Sequence, residues 1–93
     1  MADEFAFLRE VHEQPDVIRR TLTELDGQIR ALAKDYHGAI DRVVMVGCGD
    51  PYMHSIAAAY AFEEWVKIPT EAVEAAEFSF YRYKLVTPRT LLV

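Results

Sequence analysis

The residues best suited to chemistry stand where an apolar run meets two glycines. The segment VVMVGCGDPYMHS, residues 43–55, runs from a strand-like stretch into the start of a predicted helix. Glycine lets the backbone come close to a ligand, and a helix start presents unpaired N–H groups that suit an anion such as phosphate. We therefore predict a ligand-binding turn, here called the glycine turn (residues 47–52), formed by Gly47, Cys48, Gly49, Asp50, Pro51 and Tyr52.

A purely structural interpretation of the same turn stays open. Asp50 is a favoured N-cap residue, and Pro51 suits the first helical position. Asp50 would also repel a phosphate, and Pro51 removes one N–H donor. A carboxylate at this place is better suited to accept sugar hydroxyl groups than to hold phosphate.

Other reactive side chains near the turn match no strong pattern. The spacing of Cys48, Asp50 and His54 corresponds to no common zinc site, so we expect neither a metal nor a cofactor. Cys48 is predicted to be a small buried residue at a strand end rather than a nucleophile. His54 is predicted to face solvent.

Composition excludes several classes of partner. The chain has 93 residues, a formal net charge of −5 and one cysteine. Without a cluster of basic residues we expect no nucleic acid partner, and without a long apolar segment we expect no membrane partner. A single cysteine provides no internal disulfide, which favours a reduced, cytoplasmic setting.

The periodicity of apolar residues predicts alternating helices and strands. Two leading helices are expected, separated at Gln14-Pro15, because proline disfavours a helical residue before it. A buried strand, a helix and a second strand follow, which is the order of a βαβ unit. The predicted segments are helices at 3–13 and 16–36, strands at 43–46, 70–73 and 91–93, a helix at 52–68, and a short helix with a loop at 75–84.

This order predicts an α/β fold with a doubly wound parallel sheet and helices on both faces, preceded by the two helices. We expect one domain, with leading helices at 1–38 and the start of the sheet at 39–93. Three strands are fewer than an average sheet contains, and the chain stops in the apolar run TLLV. The prediction is the amino-terminal part of a larger domain.

Several motifs in register resemble one known family. They are EQP at residues 13–15, GCG at 47–49, FEEW at 62–65 with IP at 68–69, and AAEFSFYR at 75–82. The segments LREVHEQPDVIRRTL and RVVMVGCGDPYMHSIAAAYAFEEWVKIPTEAVEAAEF are similar to the sugar isomerase (SIS) domain. The similarity is greatest to the isomerase part of glucosamine-6-phosphate synthase and to related phosphosugar isomerases and deglycases.

The resemblance implies a homodimer that binds a sugar phosphate at the carboxyl edge of the sheet. The Cys-Gly-Thr-Ser-like turn of the family corresponds here to Cys48, Gly49, Asp50 and Pro51, so both hydroxyl residues are replaced. Most phosphate contacts and the catalytic residues of the family are expected beyond residue 93. The resemblance covers the isomerase module only, with no glutaminase part.

Two functions from different classes follow from the resemblance. The first is a sugar-phosphate isomerase, aminotransferase-like enzyme or deglycase acting on a ketose or amino-sugar 6-phosphate, with residues 1–93 inactive alone. The second is a SIS module that senses a sugar phosphate without catalysis. A third interpretation, a structural segment whose turn only starts a helix, stays open because fold alone does not decide among them.

Overall fold

The structure, a computed structural model, describes the backbone of residues 2–93 and the side chains of residues 5–93. These residues form two compact units, one that ends at Tyr36 and one that runs from His37 to Val93. The predicted α/β class is confirmed, with a three-stranded parallel sheet and helices. The elements are α1 (Ala2–Tyr36), β1 (Arg42–Gly47), α2 (Asp50–Val66), β2 (Thr70–Glu74), α3 (Ala75–Glu77) and β3 (Thr90–Leu92).

The first unit is a single helix, which corrects the prediction of two. α1 continues through Pro15, although proline removes one N–H donor from the helix. The apolar spacing continues across the same point, since Val11, Pro15 and Ile18 follow the same steps of four and three. The local cost of one proline therefore does not interrupt a helix whose remaining residues favour it. The end predicted for the second leading helix, residue 36, is confirmed, because α1 ends at Tyr36, and Gly38 follows with a φ of +79°.

The second unit is built around β1, the central strand of the sheet order β2-β1-β3. Both neighbours are parallel to it: Val43 is paired with Thr70 of β2 and with Leu91 of β3. The fully buried strand predicted from the run VVMV is confirmed for Val43 and Val44, which are 1% and 5% exposed, whereas Met45 and Val46 are only partly buried. Because neighbouring side chains of a strand point to opposite faces, both faces of β1 are covered at this level.

α2 packs on β1 and β2 and places its small residue Ala59 in the core. Its end is tied to the start of β2 by Glu63, whose carboxylate Oε1 accepts the backbone N–H of Thr70 at 2.8 Å. Lys67 forms the C-cap with a left-handed φ of 63°, and its N–H bonds to the carbonyl of Glu63 at 2.9 Å. The helix thus ends before Pro69, close to the predicted boundary.

The aromatic segment after β2 is helical for longer than expected. The N-cap of α3 is Glu74, whose side chain accepts hydrogen bonds from the N–H groups of Ala76 and Glu77. A π-helical turn, Phe78–Arg82, and a 3₁₀ turn, Tyr83–Leu85, follow directly. The predicted short helix is therefore confirmed, and helical turns extend over most of the predicted loop.

Candidate functional site

The glycine turn leaves the carboxyl end of β1 and enters α2 without an intervening loop. Gly47 is the last residue of β1, and Gly49 is the N-cap of α2 with φ 66° and ψ −132°. A positive φ of this kind is strained for residues that carry a Cβ, so glycine is required at position 49. The predicted strand, turn and helix are thus continuous, and the turn residues lie together.

Gly47 is required for a different reason, the close approach of two backbone segments. A Cβ added at Gly47 would lie 2.7 Å from the backbone N of Tyr52 and 2.9 Å from the carbonyl carbon of Pro51. Neither atom belongs to a flexible side chain. The first turn of α2 therefore rests directly on the end of β1, and only glycine fits between them.

Asp50 does not cap the helix, which corrects the structural interpretation of the turn. Gly49 occupies the N-cap position, no side chain accepts a capping hydrogen bond there, and Asp50 is the first helical residue. The first helical bond runs from the N–H of Met53 to the carbonyl of Gly49 at 3.1 Å. The N–H groups that precede Met53 have no helical acceptor and suit a ligand or water.

The turn is open to solvent rather than packed shut. Cys48, Gly49, Asp50 and Pro51 are exposed, while Gly47 and Tyr52 are partly buried. The prediction that Cys48 is buried is wrong, because the turn lifts this residue away from the strand into solvent. His54 is exposed, as predicted. Among the described residues no group of three or more His, Cys, Asp or Glu side chains could hold a metal ion.

The sheet order places the glycine turn at a topological switch point. From β1 the chain passes through α2 to β2 on one side, whereas β3 lies on the other side of β1. The ends of β1 and β3 are adjacent, since the N–H of Val46 donates to the carbonyl of Val93 at 2.8 Å. In open α/β sheets ligands bind outside the carboxyl ends of strands at such a point.

Two shallow cavities of the second unit, of about 280 and 220 Å³, lie away from the glycine turn and share Glu63, Thr70 and Glu71 among their lining residues. These residues belong to the end of α2 and the start of β2, and no residue of the glycine turn lines either cavity. The glycine turn is thus an exposed corner outside these two cavities.

An ion-pair cluster near these cavities was not predicted from the sequence. Glu71 accepts hydrogen bonds from Arg42 and from Arg82, the latter at 2.7 Å, and Arg82 also lies 3.8 Å from Glu77. The three side chains of Arg42, Glu71 and Arg82 are each about one-third exposed. The register of the strands explains why Arg42 and Glu71 meet. Glu71 is paired with Val44, and Val44 lies on the same face of β1 as Arg42, so the side chains of Arg42 and Glu71 share one face of the sheet.

No helix among the described residues is both long enough and apolar enough to cross a membrane. This finding concerns the helices only.

Comparisons with known proteins identify a consistent set of relatives. The chain is 36% identical over 86 residues to "Glutamine--fructose-6-phosphate aminotransferase [isomerizing]" of Methanothermobacter thermautotrophicus, a match over 92% of this chain and 14% of the relative. The proteins of the same name from Clostridium perfringens and Pseudomonas putida are 36% and 37% identical, each over 92% of this chain and 15% of the relative. No family model matches the chain, and no solved structure matches it.

The matches cover nearly all of this chain but only about 15% of each relative. Glutamine–fructose-6-phosphate aminotransferase is another name for glucosamine-6-phosphate synthase, so the resemblance seen in the motifs is confirmed. The chain is a homologue of one segment of the isomerizing glutamine–fructose-6-phosphate aminotransferases.

Proposed function

We propose that the glycine turn forms part of a binding site for a sugar phosphate, with a ketose or amino-sugar 6-phosphate as ligand. The observation that carries the proposal is the position of the turn, exposed at the carboxyl end of the central strand where the sheet order reverses. The relatives named above support the class of ligand, since their name specifies fructose 6-phosphate as substrate.

Two parts of the turn would contribute in different ways. The N–H groups at the start of α2, together with the positive end of the helix dipole, suit an anionic or strongly polar oxygen. The Asp50 carboxylate, exposed at the first helical position, accepts hydrogen bonds and repels phosphate. We therefore assign the sugar hydroxyl groups to Asp50 and expect most phosphate contacts to come from residues outside this chain.

The reaction class that we propose for the complete site is sugar-phosphate isomerisation or the related amino transfer. Isomerisation moves a proton between C1 and C2 of the open-chain sugar, which needs a positioned acid and base. We assign neither role to a residue of this chain. Binding without turnover in a chain that holds the complete site would favour the sensing function over the enzyme.

A homodimer and a cytoplasmic location complete the proposal. The dimer is expected from the resemblance to the SIS family, and the location from the single exposed cysteine, which suits a reducing compartment.

The experiment that tests the proposal is an NMR titration of the labelled chain with fructose 6-phosphate, glucosamine 6-phosphate, fructose and inorganic phosphate. We expect amide shifts concentrated at Gly47, Gly49 and Asp50, larger for the phosphosugars than for fructose or phosphate. Shifts spread evenly over the chain, or none at millimolar phosphosugar, would contradict the proposed site.

A pair of charge-matched variants makes the titration specific. Asp50→Asn removes the carboxylate at the start of α2, whereas Glu64→Gln removes one near its end, where Glu64 is 78% exposed. Because a negative charge at the turn opposes an anion, we expect Asp50→Asn to tighten inorganic phosphate binding about two- to fivefold. Glu64→Gln is expected to leave it unchanged. Equal effects of the two variants would show that the turn does not face the anion.

A further inference from the structure

Nine residues of α1 form one continuous seam with the repeat of a coiled coil, and the apolar residues Phe5, Phe7 and Val17 lie outside it. Steps of three and four alternate without interruption, an average of 3.5 residues, over four heptads. A helix that only covers a globular core has a broader stripe with a period near 3.6. The seam consists of Leu8, Val11, Pro15, Ile18, Leu22, Leu25, Ile29, Leu32 and Tyr36.

Within the first unit, described by itself, no other element covers this seam. Leu22 is 66% exposed, and Ile29 and Leu32 are each 57% exposed. The helix is 35 residues long, about 50 Å at 1.5 Å per residue. An apolar seam of that length fits a partner helix of equal length and the same repeat.

The charges beside the seam distinguish a parallel pair from an antiparallel one. Arg19 and Asp26 are seven residues apart and therefore lie on the same flank of the seam. If two copies of α1 pair antiparallel with Leu22 opposite Leu25, Arg19 of each copy lies opposite Asp26 of the other. A parallel pair would instead place Arg19 opposite Gln14 and Asp26 opposite Thr21, without any pair of opposite charges.

The two ends of α1 favour the same arrangement. Before Ile18 acidic residues outnumber basic ones, and from Arg19 onward basic residues are in slight excess. An antiparallel pair brings each acidic end beside a basic end and sets the two helix dipoles in opposite directions. The acidic residues are Asp3, Glu4, Glu10, Glu13 and Asp16, against Arg9; the basic ones are Arg19, Arg20, Arg30 and Lys34, against Glu24, Asp26 and Asp35.

We propose that α1 binds α1 of a second copy of this chain as an antiparallel coiled coil, in the register that sets Leu22 against Leu25 of the partner subunit. In this register the other facing pairs are also apolar: Val11 with Tyr36, Pro15 with Leu32, and Ile18 with Ile29. The pairing needs no sugar phosphate and is independent of the glycine turn.

Within one copy the same charges already have local partners. Arg19 bonds to Asp16 at 3.0 Å, and Arg30 bonds to Asp26 at 2.8 Å. All four side chains are more than half exposed, and exposed pairs of this kind contribute little. The pairs within one copy can therefore be replaced by ion pairs between subunits at small cost, or Arg19 and Asp26 can bind both partners at once.

Charge reversal tests the register. In Arg19→Asp, two acids face each other at both symmetric positions of the pair, so we expect sedimentation equilibrium to show a dimer weakened about tenfold. The double variant Arg19→Asp/Asp26→Arg exchanges the charges and should restore most of the affinity. The control Arg20→Asp makes the same change in net charge on the outer face of α1, where we expect less than a twofold effect.

Distance measurements test the direction of the pair. In a Cys48→Ser background, a spin label at Glu24→Cys lies near the centre of the antiparallel pair, and we expect a label-to-label distance below about 25 Å. Labels at Glu10→Cys should lie about 40 Å apart along the axis. In this register position 10 faces position 37 of the other copy, which is 27 residues from that copy's own position 10. Short distances at both sites would show a parallel pair and overturn the proposal.

Three further outcomes would also overturn it. One is a monomer at concentrations near 100 µM at low salt, and another is a dimer that Arg19→Asp and Arg20→Asp weaken equally. The third is a dimer in which the labels at positions 10 and 24 give the same long distance. The last two results would place subunit contact on another surface. Helix content followed by circular dichroism distinguishes a dissociated chain from one whose α1 has unfolded.

Discussion

Gly47 fixes the angle at which α2 leaves the sheet, because no side chain fits between β1 and the backbone of Tyr52. We expect Gly47→Ala to destabilise the second unit by about 1–3 kcal/mol, since a Cβ at 2.7 Å forces two backbone segments apart. Hydrogen exchange of the β1 and α2 amides measures this loss. The control is Cys48→Ala, at the exposed neighbouring position. It should change the opening free energy of the same amides by less than about 0.5 kcal/mol. Equal protection in the two variants would contradict the close approach.

Lys67 holds a conformation that glycine adopts more readily. Its φ of 63° is the only positive value that a non-glycine residue shows in the described chain, and it ends α2. We expect Lys67→Gly to raise the thermal stability of the second unit by roughly 0.5–1 kcal/mol, as relief of strain at a C-cap does. Lys67→Ala loses the same exposed contact with Glu64 but keeps the strain, so it should show no gain. A gain in both variants would assign the effect to removal of the lysine side chain rather than to relief of strain.

Residue types predicted the backbone geometry of the two glycines better than the positions of the side chains beside them. The two glycines were predicted to permit close approach and positive φ, and Gly47 and Gly49 do so separately. The roles of Asp50 and Cys48 were not predictable, because a shift of one residue in the N-cap position changes which side chain caps the helix. Helix boundaries depend on backbone geometry, which composition does not specify to a single residue.

At the scale of elements, the cluster around Glu71 links β1, β2 and the helical turns that follow. Its carboxylate serves two guanidinium groups, those of Arg42 and Arg82, which are partly buried. Glu71→Ala removes the acid that both cations share and leaves Arg82 only its 3.8 Å contact with Glu77, so we expect a loss of about 1–2 kcal/mol in the free energy of unfolding of the second unit. Thermal unfolding followed at the β1 and β2 amides measures it.

The control for this cluster is Glu64→Ala, which breaks an ion pair with Lys67 whose side chains are 78% and 73% exposed. That variant should cost less than about 0.5 kcal/mol. If the two alanine variants unfold at the same temperature, the cluster at Glu71 contributes no more than an ordinary surface pair.

The bounds of strands and helices were predictable where the apolar periodicity was strong. The continuity of α1 through Pro15 and the contacts between elements were not predictable. Strands β1, β2 and β3 lie within two residues of their predicted bounds because apolar runs and turn residues delimit them. The break predicted at Pro15 was wrong, since a local preference was weighed without the continuous apolar seam on both sides of it. The partners of Glu71 depend on strand register, which only the folded sheet defines.

At the scale of the whole molecule, the chain corresponds to one segment of proteins about six to seven times its length, since the matches span about 15% of them. In this chain the segment presents an exposed corner at the end of β1 and, in α1, an apolar seam. The proposed binding corner and a catalytic centre are separable in physical terms. The first needs backbone geometry at one strand end, whereas the second needs an acid and a base held on opposite sides of the substrate.

That separation predicts the behaviour of the isolated chain toward a phosphosugar. The glycine turn offers one carboxylate, Asp50, and one thiol, Cys48, both in contact with solvent rather than in a closed site. Removing a proton from carbon needs a base that is positioned and shielded from water. We therefore expect residues 1–93 to exchange the C1 proton of fructose 6-phosphate with D₂O no faster than buffer does, as measured by NMR.

The Clostridium perfringens relative, assayed under the same conditions, is the positive control, and the variant Asp50→Asn is the matched control for this chain. Exchange above the buffer rate that Asp50→Asn abolishes would make Asp50 a base and place a working centre within this segment. Exchange that both forms show equally would exclude Asp50 and direct the search to another described side chain. Binding without exchange is the expected result, because the turn then positions the sugar while the proton-transfer groups come from elsewhere.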